Sequence, residues 1–166
     1  TGKDGNGATA PDARIEVDPG YVTNEMWLDP QPALRTAAVP SNRLDGVSVM
    51  LHELGHALGF NGLRNWQTGE LPTEFMGIYD TFITVGSNGV SDTFNGTNAV
   101  ANYGKVVPLA KGVVGSRFYH YGDASTATTD GLAFNLMTGN YFLYGIRYQV
   151  APIDRAFLKD LGAPVK

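Results

Sequence analysis

Residues 52 to 60 read His-Glu-Leu-Gly-His-Ala-Leu-Gly-Phe, and their spacing is that of a metal-binding helix. His52 and His56 stand four apart, so on a helix both imidazoles leave one face a turn apart. At that separation two ring nitrogens can reach a single Zn²⁺ about 2.0–2.1 Å from each. Glu53 follows the first histidine and points about 100° further round the helix. It can hold a water at the metal without ligating the metal itself. The plainer alternative is a helix with two incidental histidines. Against it, the chain has only 3 histidines and two of them fall in this motif.

A catalytic zinc keeps three protein ligands and leaves a fourth position open, so the helix pair is incomplete. The chain has no cysteine, which removes thiolate ligation and disulfides together. The remaining histidine is His120, in the glycine-flanked aromatic stretch Gly-Ser-Arg-Phe-Tyr-His-Tyr-Gly at 115–122. It is the candidate third ligand. The competing source is a carboxylate, Glu70 or Glu74, but Gly69, Pro72 and Gly77 make that region a poor helix. Because one helix face supplies two ligands, the third must cross a cleft from a separate segment, and a loop is the expected carrier.

The elements around these groups follow from pattern. Leu44–Leu58 reads as a helix with Val47, Leu51, Leu54 and Leu58 as its core stripe, Ser41 or Asp45 as cap and Gly59 as its left-handed end. Upstream, a loop over 1–12 leads to two expected strands, Arg14–Asp18 and Glu25–Asp29, with Pro19-Gly20 as the turn between them. Downstream, Met76–Val85 reads as a strand and Gly-Ser-Asn-Gly at 86–89 as a turn. Thr97–Tyr103 reads as a short helix ending at Gly104. Pro152–Leu161 reads as a last helix closed by Gly162, with Ile153, Ala156, Phe157, Leu158 and Leu161 mostly on one face. No internal repeat is present. The expected fold class is α+β in a single domain over 1–166, with an N-terminal part (1–59) carrying most strands and the active helix, and a loop-rich C-terminal part (60–166).

Composition narrows the partners. At 166 residues the chain suits one domain with a sizeable core. A formal charge of −4 with no Lys/Arg-rich stretch gives no support to nucleic acid or an anionic membrane as partner. No apolar run approaches the ~20 residues of a membrane span. The chain opens on Thr1 with neither an initiator Met nor a signal peptide, which suggests a processed or excised form. Its 21 glycines, with many Asn, Thr and Ser, suit a secreted protein. Asp-Gly and Asn-Gly loops could suit calcium, but no EF-hand spacing appears and none is assigned.

The motif at 52–60, a histidine tens of residues later and Asn-Leu-Met-Thr-Gly at 135–139 together resemble the leishmanolysin-like branch of the metzincin zinc peptidases. The short metzincin motif would put its third histidine at position 62, which is Gly62 here. In the branch resembled, an insertion separates the helix motif from that histidine, and a methionine-containing tight turn follows beneath the zinc. The resemblance covers about residues 44–162. It implies His52, His56 and His120 as zinc ligands, Glu53 as general base, Gly59 as the turn residue and Met137 as the Met-turn. It also implies that Thr138, Gly139 and Tyr141 line the pocket for the side chain after the cut. Residues 95–104 are similar to a helical segment inside the insertion, and Ile153–Gly162 to the C-terminal helix. Two departures stand out. Leishmanolysin is disulfide-rich whereas this chain has no cysteine, so it resembles a compact, bacterial-looking relative. The short stretch before His52 leaves two readings, an unusually small N-terminal subdomain or a truncated one; the favoured reading is a small, truncated sheet, with a propeptide or a fragment of the same precursor as a partner.

The reaction this implies is peptide-bond hydrolysis of a protein or peptide substrate, with one catalytic zinc and Glu53 moving the water proton. Tyr141, Tyr144 and Tyr148 follow the Met-turn at a range where a hydroxyl could aid the oxyanion, but the favoured reading of each is a structural strand aromatic. An extended substrate would pair with the edge of the Glu25–Asp29 strand. Two alternatives remain open. One is a gluzincin-type peptidase with a Glu as third ligand. The other is a zinc-bearing extracellular binding or adhesion module, with a carboxylate such as Asp123 closing the metal's fourth position.

Overall fold

A single carboxylate starts the central helix. Asp45 takes extended backbone angles, and its side chain accepts the Ser48 amide at 3.1 Å. That satisfies one of the orphan donors every helix start presents, so Asp45 and not Ser41 is the cap. The computed structural model describes residues 9–72, 75–87, 91–111, 117–122, 131–139 and 141–165. Within it, α1 spans Pro19–Asn24, β1 Met26–Trp27, β2 Leu44–Asp45 and α2 Gly46–Ala57. β1 and β2 pair in parallel, Met26 beside Leu44 and Trp27 beside Asp45. The expected strand at 25–29 is thus two residues long. The expected strand at 14–18 is absent, because Asp18 caps α1 by accepting the Tyr21 amide at 3.0 Å. Pro19 at the first helical position has its ring already set for a helix, so Pro-Gly opens a helix there instead of making a hairpin turn.

The start of α2 is tied to the far end of the chain. The Ser48 hydroxyl lies 2.6 Å from Asp45 Oδ2 and accepts the Tyr148 amide at 2.8 Å. Arg35 donates to Asp45 Oδ2 at 2.8 Å and to the Tyr148 carbonyl at 3.1 Å. Arg147 pairs with Asp29 at 3.0 Å. Hydrogen bonds from the Gln31 amide and from Arg147 hold the Asp29 carboxyl below its usual pKa, against the opposing effect of burial.

The buried side of α2 is not the expected stripe. Ser48, Val49 and Gly55 are buried and Leu51 packs on the main core, whereas Leu54 and Leu58 are 43% and 55% exposed. The helix turns its histidines and its smallest residues towards the C-terminal half, which leaves the leucines opposite them in solvent.

Most strands follow α2, contrary to the expectation that they precede it. β3 (Ile83–Thr84), β4 (Thr93–Phe94) and β5 (Val107–Pro108) form an antiparallel sheet in that order. Only the end of the expected 76–85 strand is extended. Tyr79–Phe82 is a 3₁₀ turn, because the buried Asp80 carboxylate captures the Leu63 amide at 2.8 Å and the Gly77 amide at 3.0 Å. The turn expected at 86–89 lies partly outside the described residues. Single bridges prolong the sheet, Leu109 opposite Tyr121 and Tyr121 beside Thr138.

The two later helices stand where periodicity puts them. α3 spans Thr97–Tyr103 and ends at a left-handed Gly104, and α4 spans Pro152–Asp160 and is closed by Leu161 and Gly162. Phe157 of α4 stacks on Phe94 at 4.0 Å and on Phe60 at 5.0 Å, within the core that also holds Tyr79, Tyr121 and Met137. The architecture is α+β, with small sheets and helices around this core. Among the described residues, no helix is long and apolar enough to cross a membrane.

α3 has no capping side chain of its own. Asp160, at the end of α4, supplies one in trans, accepting the Asn98 and Ala99 amides at 2.8 and 2.9 Å. Asp160→Ala should therefore lower stability by about 1–2 kcal/mol, the range of a lost helix cap, seen as a lower denaturation midpoint. An unchanged midpoint would show that α3 does not depend on this carboxylate.

Candidate metal centre

Three ring nitrogens meet over α2. His52 Nε2 lies 3.2 Å from His56 Nε2, His56 Nε2 lies 3.1 Å from His120 Nε2, and His120 Nε2 lies 3.0 Å from His52 Nε2. Two nitrogens bound about 2.05 Å from one tetrahedral centre stand ~3.3 Å apart, so this triangle is close to one face of such a site. Among the described residues, these histidines are the group of side chains able to hold a metal ion.

Main-chain oxygens set the tautomers. His52 Nδ1 lies 2.7 Å from the Leu136 carbonyl and His56 Nδ1 lies 2.8 Å from the Phe60 carbonyl. A carbonyl can only accept, so each Nδ1 carries a hydrogen, and an uncharged ring then presents its lone pair at Nε2. Burial pushes the His52 pKa below its ordinary value, which favours that neutral ring, although the bond to Leu136 opposes the shift. Lone pairs facing one another at 3 Å repel, and a shared cation removes the repulsion. The donor set fits a metal ion, and outer-shell carbonyls of this kind are the usual partners of ligating histidines.

Local backbone explains why each support is in place. Gly59 has φ of +133°, a region closed to side-chain-bearing residues. The chain reverses there, the Phe60 amide returns to the Gly55 carbonyl at 3.1 Å, and the Phe60 carbonyl comes to face His56. His120 enters from a bend after the turn at 117–119. Its carbonyl accepts the Ala110 amide at 2.9 Å, and Tyr121 bonds to residues 137 and 139 on the other side. This ladder puts His120 and the Met137 turn side by side. Met137 is 1% exposed, and its sulfur lies 2.5 Å from where a Gly55 side chain would begin. Gly55 lies between the two histidines in the sequence of α2, so Met137 packs against the turn of the helix that carries them.

The candidate pocket residues have different fates. Thr138 is buried, and Gly139 is wedged against Ala110 and the Gly122 carbonyl. Tyr141 is 85% exposed, and the Tyr144 hydroxyl donates to Glu25. Tyr148 is buried and stacked on Phe142 at 4.1 Å, which makes it structural. Glu53 is half-buried beside His52 and does not belong to the nitrogen group. Tyr21 lies within its electrostatic reach: burial raises the Tyr21 pKa, and Glu25 and Glu53 add to the rise. Glu70 is exposed and outside the histidine group, while Glu74 and Asp123 lie outside the described residues.

Sequence reasoning missed Phe142, whose ring meets His52 edge-on at 5.2 Å between centroids and walls that side of the site. A phenylalanine among exposed aromatics carries no signal for such a place. The Phe60 carbonyl that holds His56 was missed as well, although the left-handed Gly59 that turns it inward was expected.

Comparison of the chain with protein-family models, with curated proteins and with solved structures finds no match in any of the three.

Gly55→Ala would drive a methyl group into the Met137 sulfur. The expected loss is about 1–3 kcal/mol, as for other overpacked cores. Adding Met137→Ala should recover part of it, so that the double variant is less destabilised than the sum of the singles. Strict additivity in chemical denaturation would place Met137 elsewhere.

Proposed function

We propose that this chain is a zinc-dependent endopeptidase of the metzincin kind, resembling the leishmanolysin-like branch. The observation that carries the proposal is the convergence of His52, His56 and His120 at 3.0–3.2 Å, with Glu53 one residue from the first of them. Met137 seated against Gly55 adds support. Zinc bound by three neutral histidines supplies a Lewis acid that polarises a peptide carbonyl and brings the pKa of water to about 7.

The remaining work falls to the chain's own groups. Glu53 accepts the proton of the attacking water and returns it to the departing amine, which leaves as a neutral group. His52 and His56 are held by carbonyls, so they keep their orientation through the cycle without a rotamer change. Phe142 shields His52 from bulk solvent on one side. The edge of β1 that faces away from β2 would pair with an extended substrate through main-chain hydrogen bonds. The exposed Tyr141, Leu143 and Tyr144 offer apolar surface beside it.

The test uses unstructured casein as substrate and metal analysis of the purified protein. One zinc per chain and hydrolysis that a chelator abolishes are expected. Glu53→Gln should keep its zinc and lose at least the ~10²–10⁴ in rate typical of acid–base catalysis. A Gln variant as active as the parent would overturn the role of Glu53. His120→Ala should lose both tight zinc and activity, and a stoichiometric, active zinc enzyme after that change would overturn the ligand set. A stoichiometric zinc protein that never cleaves casein would point instead to a binding module.

A further inference from the structure

Asp154 is a buried carboxylate at the third position of α4. Its Oδ2 does local work, accepting the Ala151 amide at 2.6 Å to close the first turn of the helix. Its Oδ1 reaches away from the helix. It accepts the Met137 amide at 3.2 Å and the Tyr121 hydroxyl, and the Leu136 amide donates to the same carboxylate.

These partners have a common property. The Met137 N–H and the Leu136 C=O belong to one peptide group. The N–H of that group points at Asp154, and its C=O accepts from His52 Nδ1 at 2.7 Å. The order is therefore imidazole, peptide, carboxylate. Hydrogen bonds in such a chain polarise one another: a negative charge on the N–H side makes the carbonyl a stronger acceptor, and the imidazole a better electron-pair donor at Nε2. The second arm reaches His120, because Tyr121 is the next residue and its hydroxyl is anchored on the same oxygen.

We propose that Asp154 is a positioning residue of the metal centre, acting on His52 through the Leu136–Met137 peptide group and on His120 through Tyr121. The inference rests on the metal-centre reading above. It makes α4 part of the site, although none of its side chains belongs to the nitrogen group.

The experiment measures Zn²⁺ affinity by competition with a chromophoric chelator, and the visible spectrum of the Co²⁺-loaded protein. It compares wild type, Asp154→Asn, Tyr121→Phe and, as a control for stability alone, Asp160→Ala in the same helix. Asp154→Asn should weaken zinc binding roughly 10–100-fold, the range for lost outer-shell partners. Tyr121→Phe should weaken it less, and both should shift the Co²⁺ bands. Asp160→Ala should lower the melting temperature with affinity and spectrum unchanged. If Asp154→Asn and Tyr121→Phe merely lower the melting temperature in the same way, the proposal is overturned. Should Asp154→Asn fail to fold, Tyr121→Phe decides alone, since it removes one hydroxyl. Wild-type protein that takes up no stoichiometric zinc, or His120→Ala that binds as tightly as wild type, would bring down the metal-centre reading as well. Normal behaviour of those two with neutral Asp154 and Tyr121 variants would bring down this inference alone.

Discussion

Imidazole lone pairs facing one another repel, and this chain holds the Nε2 atoms of His52 and His56 at 3.2 Å, with the Nε2 of His120 at 3.0–3.1 Å from both. Much of the surrounding structure can be understood as what keeps that arrangement from springing apart. Two of the rings are held by carbonyls and cannot rotate away without giving up a hydrogen bond worth about 0.5–1.5 kcal/mol each. A cation that binds only the folded chain would turn the repulsion into attraction. By mass action it would add about 4 kcal/mol to stability at a thousandfold excess over its dissociation constant. Folding and the binding of such a cation would for that reason form one linked equilibrium.

Convergence also demands close approach, and small residues provide it. The Met137 turn can lie beneath the helix because position 55 has no side chain, and the start of α2 can meet the chain at 148 because a serine hydroxyl both donates and accepts there. Between them, the bridge of Tyr121 to Leu109 and Thr138 brings His120 in from the far side. The sheet β3–β4–β5 is less a platform for substrate than a means of delivering the third histidine.

The legible parts are those whose causes are local. Asp45 before α2, Gly104 after α3, and Pro152 and Gly162 around α4 mark helix ends by chemistry that acts within a few residues. His120 was legible by elimination in a chain so poor in histidine. Where long-range contacts decide, the pattern misleads. Asp80 bends an apparent strand into a 3₁₀ turn by capturing the amide of Leu63, and Asp160 caps a helix in a different part of the chain. Asp18 is a different case: the Asp-Pro pair that opens α1 competes with the Arg14–Asp18 strand pattern, and the cap wins. The leucines behind α2 show a limit of periodicity, which identifies an apolar stripe but not whether anything lies against it.

The supports of His52 and His56 are peptide carbonyls, not side chains, and this has a consequence for how the site can change over generations. A side-chain partner can be deleted by one codon change, whereas every amino acid carries the same C=O. Drift at Leu136 and Phe60 can alter packing while leaving the acceptor in place. What such drift cannot spare is the backbone path itself, held by Gly59 and by the turn that ends at Met137. Variation in this site should accordingly be freest where the supporting atoms are, and most constrained at the residues that fix the backbone path.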